Sequence, residues 1–137
     1  MKETNETITV FNQHYDRESG KDVWTPTVIR GVSWFEATRS AITQAGLKSA
    51  DTAIVRIPVD ADTGGRSYLP PRAYKAAESA SGAFTLAPGD IIIRAAVTET
   101  GLNPARIQAQ YDDFITIIGA TDNTRRNHAP HWKVVGA

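Results

Sequence analysis

Cysteine is absent from this sequence of 137 residues. Its absence excludes disulfide scaffolds, thiolate metal sites and cysteine nucleophiles, so stability must come from burial, hydrogen bonds or assembly. An excess of one charge is also missing, because fifteen Lys and Arg offset fifteen Asp and Glu and the formal net charge is +0. A chain without net charge creates no long-range attraction to polyanions. We therefore expect neither specific nucleic-acid binding nor attachment to an anionic membrane.

Long hydrophobic runs are missing too. The aliphatic run Ile91–Ile93 is far shorter than the ~20 apolar residues that a membrane helix requires. The first six residues are polar and acidic, whereas a secretory signal begins with basic residues followed by an apolar stretch. We expect a soluble chain that is made in the cytoplasm and stays there before any assembly.

What the sequence does contain is a series of short β-type segments rich in β-branched and aromatic residues. Pro26 cannot donate a hydrogen bond to a central ladder, so its strand is either bulged at that point or lies at a sheet edge. The small and polar run 40–51 sustains neither the helix nor the strand period and is expected to be an exposed connection. Seven β-type segments, at 7–15, 22–30, 32–37, 52–59, 91–95, 114–118 and 131–135, predict a domain of about six strands, with Gly31 only bending the chain between the second and the third segment.

One or two short helices and one long loop complete the predicted domain. Pro71 stands at a possible first helical position and indicates a helix over 71–80, and Asn103 followed by Pro104 is typical of an N-cap and indicates a second helix over 103–110. The segment 60–71 is long for a connection, and we expect it to stay mobile until a partner orders it. The fold class is therefore mainly β: one small barrel or sandwich over 1–137, with Trp24, Trp34 and Trp132 in its core.

Known catalytic and metal-binding patterns are only partly matched. The run from Asp60 to Gly65 opens like a calcium-binding EF-hand loop, but its twelfth position is Pro71 instead of Glu. His128 and His131 have a possible metal-ligand spacing, yet no third ligand stands nearby in the sequence. A nucleophile elbow and the glycine patterns of phosphate loops are missing. We assign no catalytic, cofactor-binding or metal-binding residue and expect a non-enzyme, with a small hydrolase of unrecognised type as one rival.

A second rival is a nucleic-acid-binding module. Arg125 and Arg126 stand near His131, Trp132 and Lys133. Basic and aromatic side chains of this kind can form a platform for single-stranded nucleic acid, and the strand count permits an OB-like barrel. Two adjacent arginines in a polar loop are more often simply solvated, and retention on single-stranded DNA that falls with added salt would favour the rival.

The order of several short motifs resembles a family of small proteins from tailed phages and prophages of Gram-positive bacteria. The motifs are an opening Thr7–Asn12 hairpin strand, Val32–Phe35, Ile54–Pro58, Pro88–Ile92, and finally Thr121–Arg125 with His131–Val134. The resemblance covers nearly the whole chain, although none of these motifs is a catalytic signature. More loosely, the chain is similar to the head-completion, or stopper, proteins of siphophage necks.

This resemblance implies a virion structural protein that joins a ring in the phage neck, with host cytoplasm as its location before assembly. Its partners would be other copies of itself, a portal or adaptor ring and a tail protein; a minor capsid or tail-completion protein is the alternative role. In such a ring we expect the loop 60–71 to be the docking element, through Asp60, Asp62, Arg66 and the aromatic anchor Tyr68. Deleting 62–68 should then leave the isolated fold intact.

Overall fold

In the computed structural model, antiparallel strands close into a six-stranded barrel. The structure describes residues 5–16, 18–43, 46–77, 82–99 and 101–137. For 37–43 and 46–51 it describes the backbone alone. In chain order the elements are β1 (Glu6–Asp16), β2 (Lys21–Thr43), β3 (Gly46–Pro58), β4 (Ser67–Tyr68), α1 (Pro71–Ala76), β5 (Ala83–Phe84), β6 (Ile91–Ile93), α2 (Pro104–Gln110), β7 (Phe114–Asn123) and β8 (His131–Gly136). Around the barrel the strands follow the order β1, β2, β3, β8, β7, β6, and β6 pairs with β1 to close it. The prediction of a mainly β barrel or sandwich of about six strands with one or two short helices is confirmed, and the structure shows a closed barrel with two helices.

The main core fills the barrel interior. Among the residues whose side chains are described, alternate positions of the barrel strands point inwards, as the period of a strand requires, except at the irregularity of β2 between Ile29 and Val32. Val10 and Val55 are fully buried there. The interior residues with the lowest exposure are Ile8, Val10, Ile29, Val32, Val55, Ile57, Ile92 and Val134.

A second apolar cluster lies on the outer face of β1 and β6. Phe11, Ile91 and Ile93 contribute from the strands, and Ile107 of α2 packs on them together with Leu102. The chain from β6 to β7 therefore covers one outer face of the barrel. As predicted, α2 begins at an Asn103 N-cap, whose side chain accepts a hydrogen bond from the Arg106 backbone N–H.

The segment between β3 and β6 crosses one end of the barrel, because these two strands are not neighbours around it. It contains α1 and the short parallel pair β4 and β5. Tyr74, Phe84 and Leu86 from this segment are almost completely buried. The crossing segment thus closes that end of the barrel and completes the interior core.

Two sequence expectations need correction. The described parts of the run 40–51, which are 40–43 and 46–51, continue two strands and are not an irregular connection: β2 and β3 pair from Ser33 opposite Arg56 to Thr43 opposite Gly46. Backbone pairing with a neighbouring strand stabilises small and polar residues that have little strand preference of their own. Helix α1 ends at Ala76, earlier than the predicted 71–80; Ala77 is extended and 78–80 lie outside the described residues.

The three tryptophans are half-buried at the margins of the two clusters. Trp34 and Trp132 pack against the interior cluster, and Trp24 packs against the outer one. The three side chains therefore contact the core as predicted, but each is only partly buried. Arg94 adds a cation–π contact at 5.3 Å from the Trp34 ring and an ion pair of 2.6 Å with Glu6.

Candidate partner-binding edge

The first half of β2 has a backbone edge that pairs with no other strand in the described part of the chain. From Lys21 to Val32 this strand pairs with β1 on one side, and its pairing with β3 on the other side starts only at Ser33. A single bridge, between Arg30 and Asp62, covers part of that second side. The stretch 22–28 is left as an open edge, which we call the β2 edge.

The direction of its backbone groups follows from that bridge. The N–H of Arg30 donates to the Asp62 carbonyl at 2.8 Å, and the N–H of Asp62 donates to the Arg30 carbonyl at 3.1 Å. Backbone groups alternate in direction along a strand, so those of Trp24, Pro26 and Val28 point the same way as those of Arg30. Pro26 lacks an N–H, and it lies on this unpaired side. This is the edge position that the sequence predicted as one of two possibilities for its strand. The edge therefore offers donors at Trp24 and Val28 and acceptors at all three residues.

A groove of about 620 Å³ runs beside this edge. Trp24, Pro26 and Val28 form one wall, and Val97 and Leu102 contribute apolar surface from the chain between β6 and α2. The groove has a mixed lining, with polar residues such as Asp22, Arg66 and Asn103 beside the apolar ones. An unpaired row of backbone groups beside such a groove is an arrangement that can receive an added strand. Chemically, the site can bind an extended segment of polypeptide.

Two of the four predicted docking residues contact this region. The backbone of Asp62 ends the β2 edge at Arg30, and the guanidinium of Arg66 lines the groove while its Nη1 donates to the Ala83 carbonyl at 3.3 Å. Asp60 is exposed on the turn after β3 and does not line the groove. The Asp62 carboxylate accepts a hydrogen bond from the Gly64 N–H at 3.0 Å, which shapes the turn itself.

Tyr68 is an internal anchor of the crossing segment. Its ring lies 4.8 Å from the Trp132 ring and 5.7 Å from the Phe84 ring, measured between centroids. Burial, with a smaller contribution from the Asp122 carboxylate, raises the pKa of the Tyr68 hydroxyl and keeps it neutral. Backbone hydrogen bonds from Ser67 to Gly82 and from Leu69 to Phe84 fix the adjoining chain. The expectation of a loop that awaits a partner for its order is wrong for this part of 60–71, since its contacts are made within the chain.

Of the residues considered for metal or nucleic acid, His131 and Trp132 contact other groups of the barrel, whereas Arg125, Arg126 and His128 are exposed. Both ring nitrogens of His131 are occupied: Nδ1 lies 2.7 Å from the Ala129 carbonyl oxygen, and Nε2 lies 3.4 Å from Asn123 Nδ2. Among the described residues, no group of three or more His, Asp or Glu is placed to hold a metal ion. The indole of Trp132 packs against Tyr68 and Phe84, which removes one ring face from any contact with a base.

The buried Asp90, in the turn before β6, carries a perturbed carboxyl group. Burial raises the pKa of Asp90, although hydrogen bonds from the Asn12 amide at 2.8 Å and the Gln13 N–H at 3.3 Å oppose the shift. The adjoining cavity of about 40 Å³ has room for a water molecule and none for an organic substrate. Asn12 also bonds both backbone groups of Thr85, so this network fixes the turn to β1.

The groove was not predicted from the sequence, although one residue beside it, Pro26, gave a signal. Pro26 indicated an edge, while the opposite wall comes from residues about seventy positions later, which no local pattern connects with β2. The fold and this edge define the protein as a small antiparallel β-barrel with one stretch of β2 that has a strand partner on one side only. No helix among the described residues is long and apolar enough to cross a membrane.

The chain belongs to the DUF6751 family, a family of unknown function whose model matches residues 3–137. The match covers almost the whole chain, in agreement with one continuous structural unit. No curated protein and no solved structure gives a significant match to the chain.

Proposed function

We propose that the protein is a structural subunit of a tailed-phage particle, a head-tail connector that assembles into a ring in the neck. The observation that carries the proposal is the β2 edge with the groove beside it. Exposed edges promote association and are usually blocked or covered in proteins that remain alone. A neighbour in an assembly would cover this one.

The placement in a virion rests on the order of short motifs along the sequence, which resembles that of small phage proteins. The balanced charge also favours protein partners over nucleic acid, since fifteen basic residues are offset by fifteen acidic ones. Pro26 interrupts the row of donors and so weakens indiscriminate pairing, while the acceptors on either side remain available to a partner with the right register. An edge of this kind suits a specific neighbour.

The test is whether the protein is a component of purified particles. Particles from cells that carry the gene are purified by density gradient, and their proteins are identified and counted by mass spectrometry against the portal. We expect this chain at a ring-like copy number, together with loss of tailed particles when the gene is deleted. Particles that are complete and infectious without the chain would contradict the proposal.

A matched pair of variants links incorporation to the β2 edge. Val28→Pro removes an outward N–H and places a ring at the edge without removing a hydrogen bond to β1. Ile118→Lys changes an exposed apolar residue that does not line the groove. We expect Val28→Pro to abolish incorporation and Ile118→Lys to retain it, with both purified chains folded by circular dichroism. Equal incorporation of the two would exclude the edge as the docking site.

A further inference from the structure

The chain carries a second unpaired element besides the β2 edge. β3 pairs with β8 only from Ala53 to Pro58, yet its pairing with β2 continues to Gly46. The backbones of 38–43 and 46–51 therefore form a two-stranded hairpin whose outer sides have no strand partner among the described residues. We call this element the β2–β3 arm.

The arm of one molecule cannot cover the β2 edge of the same molecule. Both belong to one continuous strand, and β2 runs without a break from Lys21 to Thr43. Ten positions separate Val28 from Thr38, which is about 33 Å along a strand. A strand that folded back on its own edge would have to give up the β1 and β3 pairings that close the barrel. Only another molecule can bring an arm to the edge.

The arm and the edge both have backbone groups without a strand partner, so pairing them would stabilise both. A two-stranded hairpin alone in water is marginally stable, and addition to a third strand stabilises it. The edge presents outward backbone groups at Trp24, Pro26 and Val28 beside a groove that is open to an added strand and lined by both polar and apolar residues. With a net charge of +0, approach of a second copy meets no overall repulsion.

We infer that the β2–β3 arm of one copy adds to the β2 edge of the next copy, a conclusion that rests on the proposed role as a repeated structural subunit. The contact joins two different surfaces, so it is heterologous and leaves each bound copy with one free arm or one free edge. Such contacts propagate head to tail and close into a ring when the rotation between copies permits. The partner at the groove is therefore a second copy of this chain.

Two variants test the two sides of the contact separately, one by removing the arm and the other by blocking the edge. In the first, 38–51 is replaced by Asn-Gly, which keeps a tight hairpin turn and removes the arm. In the second, Val28→Pro blocks the edge and leaves the arm. Sedimentation velocity measures the mass of each full-length protein over a range of concentrations, after circular dichroism has shown that both barrels are folded.

We expect the wild-type chain to form oligomers that grow with concentration and each variant alone to remain monomeric. An equimolar mixture should give a species with the mass of two chains and nothing larger, since the only usable arm meets the only usable edge. If either variant still forms the wild-type oligomer, or if the mixture stays monomeric while the wild type assembles, the arm-to-edge contact is wrong.

A wild-type chain that remains monomeric at every concentration reached overturns the assignment of a second copy as the occupant. That result is separate from the proposed function, because presence in purified particles is measured independently. A chain that is found in particles but never self-associates would have another virion protein at its groove.

Discussion

Asp90 is the residue at which burial and hydrogen bonding compete most directly. The carboxyl group is 5% exposed, and burial raises its pKa above the ordinary 3.8 despite donors from Asn12 and Gln13. An acid whose folded pKa is raised binds its proton more tightly in the folded state, so its contribution to stability is present at low pH and is lost as pH rises. The opposite holds for Glu6, whose pKa is lowered chiefly by the hydrogen bond from Arg94.

Asp90→Asn should therefore change the pH dependence of stability in a defined direction. As pH rises from the ordinary carboxyl pKa of 3.8, the wild type should lose stability relative to Asp90→Asn, because the variant has no carboxyl group to ionise. Urea unfolding from acid to neutral pH measures this difference. Glu6→Gln is the control of opposite sign: the stability of the wild type relative to that variant should increase as pH rises. A difference between wild type and Asp90→Asn that does not vary with pH would show that Asp90 has the same pKa folded and unfolded.

Gly136 shows the requirement for close packing at a single position. A Cβ atom there would lie 2.7 Å from Ile115 Cδ1 and 2.8 Å from the Thr116 carbonyl oxygen. The second contact is with backbone, which a change of rotamer cannot relieve. We expect Gly136→Ala to lower the free energy of unfolding by about 1–3 kcal/mol.

Thermal and urea unfolding measure that cost, and β7 provides the control. A Cβ at Gly119 would meet nothing within 4 Å. Gly119→Ala should thus stay within about 0.5 kcal/mol of wild type. Similar losses for both glycines would indicate a general effect of replacing strand glycines and not a steric one at Gly136.

At the scale of elements, local chemistry determined what the sequence could predict. Asn103 followed by Pro104 specified the start of α2, and Pro26 restricted its strand to an edge or a bulge. The run 40–51 gave the wrong expectation because its strand structure comes from pairing between β2 and β3 and not from its own residue preferences. The candidate site was predicted only in part, since its opposite wall at Val97 and Leu102 is brought there by the fold.

The N-cap of α2 offers a test of an element that the sequence did specify. The Asn103 side chain accepts a hydrogen bond from the Arg106 N–H at 2.9 Å. Asn103→Ala should lower the free energy of unfolding by about 1 kcal/mol, whereas Asn103→Ser retains an acceptor and should lose only a few tenths. Urea unfolding of the three proteins compares them. An Asn103→Ala protein as stable as wild type would mean that packing of Ile107 alone holds the helix.

At the scale of the whole molecule, the question is whether the segment 60–71 is a docking loop or a part of the chain that closes the barrel end. Tyr68 packs on Phe84 and Trp132, so the deletion of 62–68 that was expected to spare the fold removes a part of the barrel end. Asp60, Asp62 and the two glycines at 64 and 65 remain outside this aromatic group. The segment 60–71 thus combines an exposed turn with a buried anchor, and the two parts have separable roles.

Tyr68→Ala tests the structural role of that anchor. Loss of a half-buried aromatic ring should lower the free energy of unfolding by about 2 kcal/mol and reduce the near-UV circular dichroism of the Trp132 environment. Tyr68→Phe keeps both ring contacts and should remain close to wild type, while the exposed change Asp60→Asn should alter neither measurement. If Tyr68→Ala leaves both stability and near-UV signal unchanged but prevents incorporation into particles, then Tyr68 is the docking anchor that its sequence suggested, and the barrel end is closed by Phe84 and Leu86 without it.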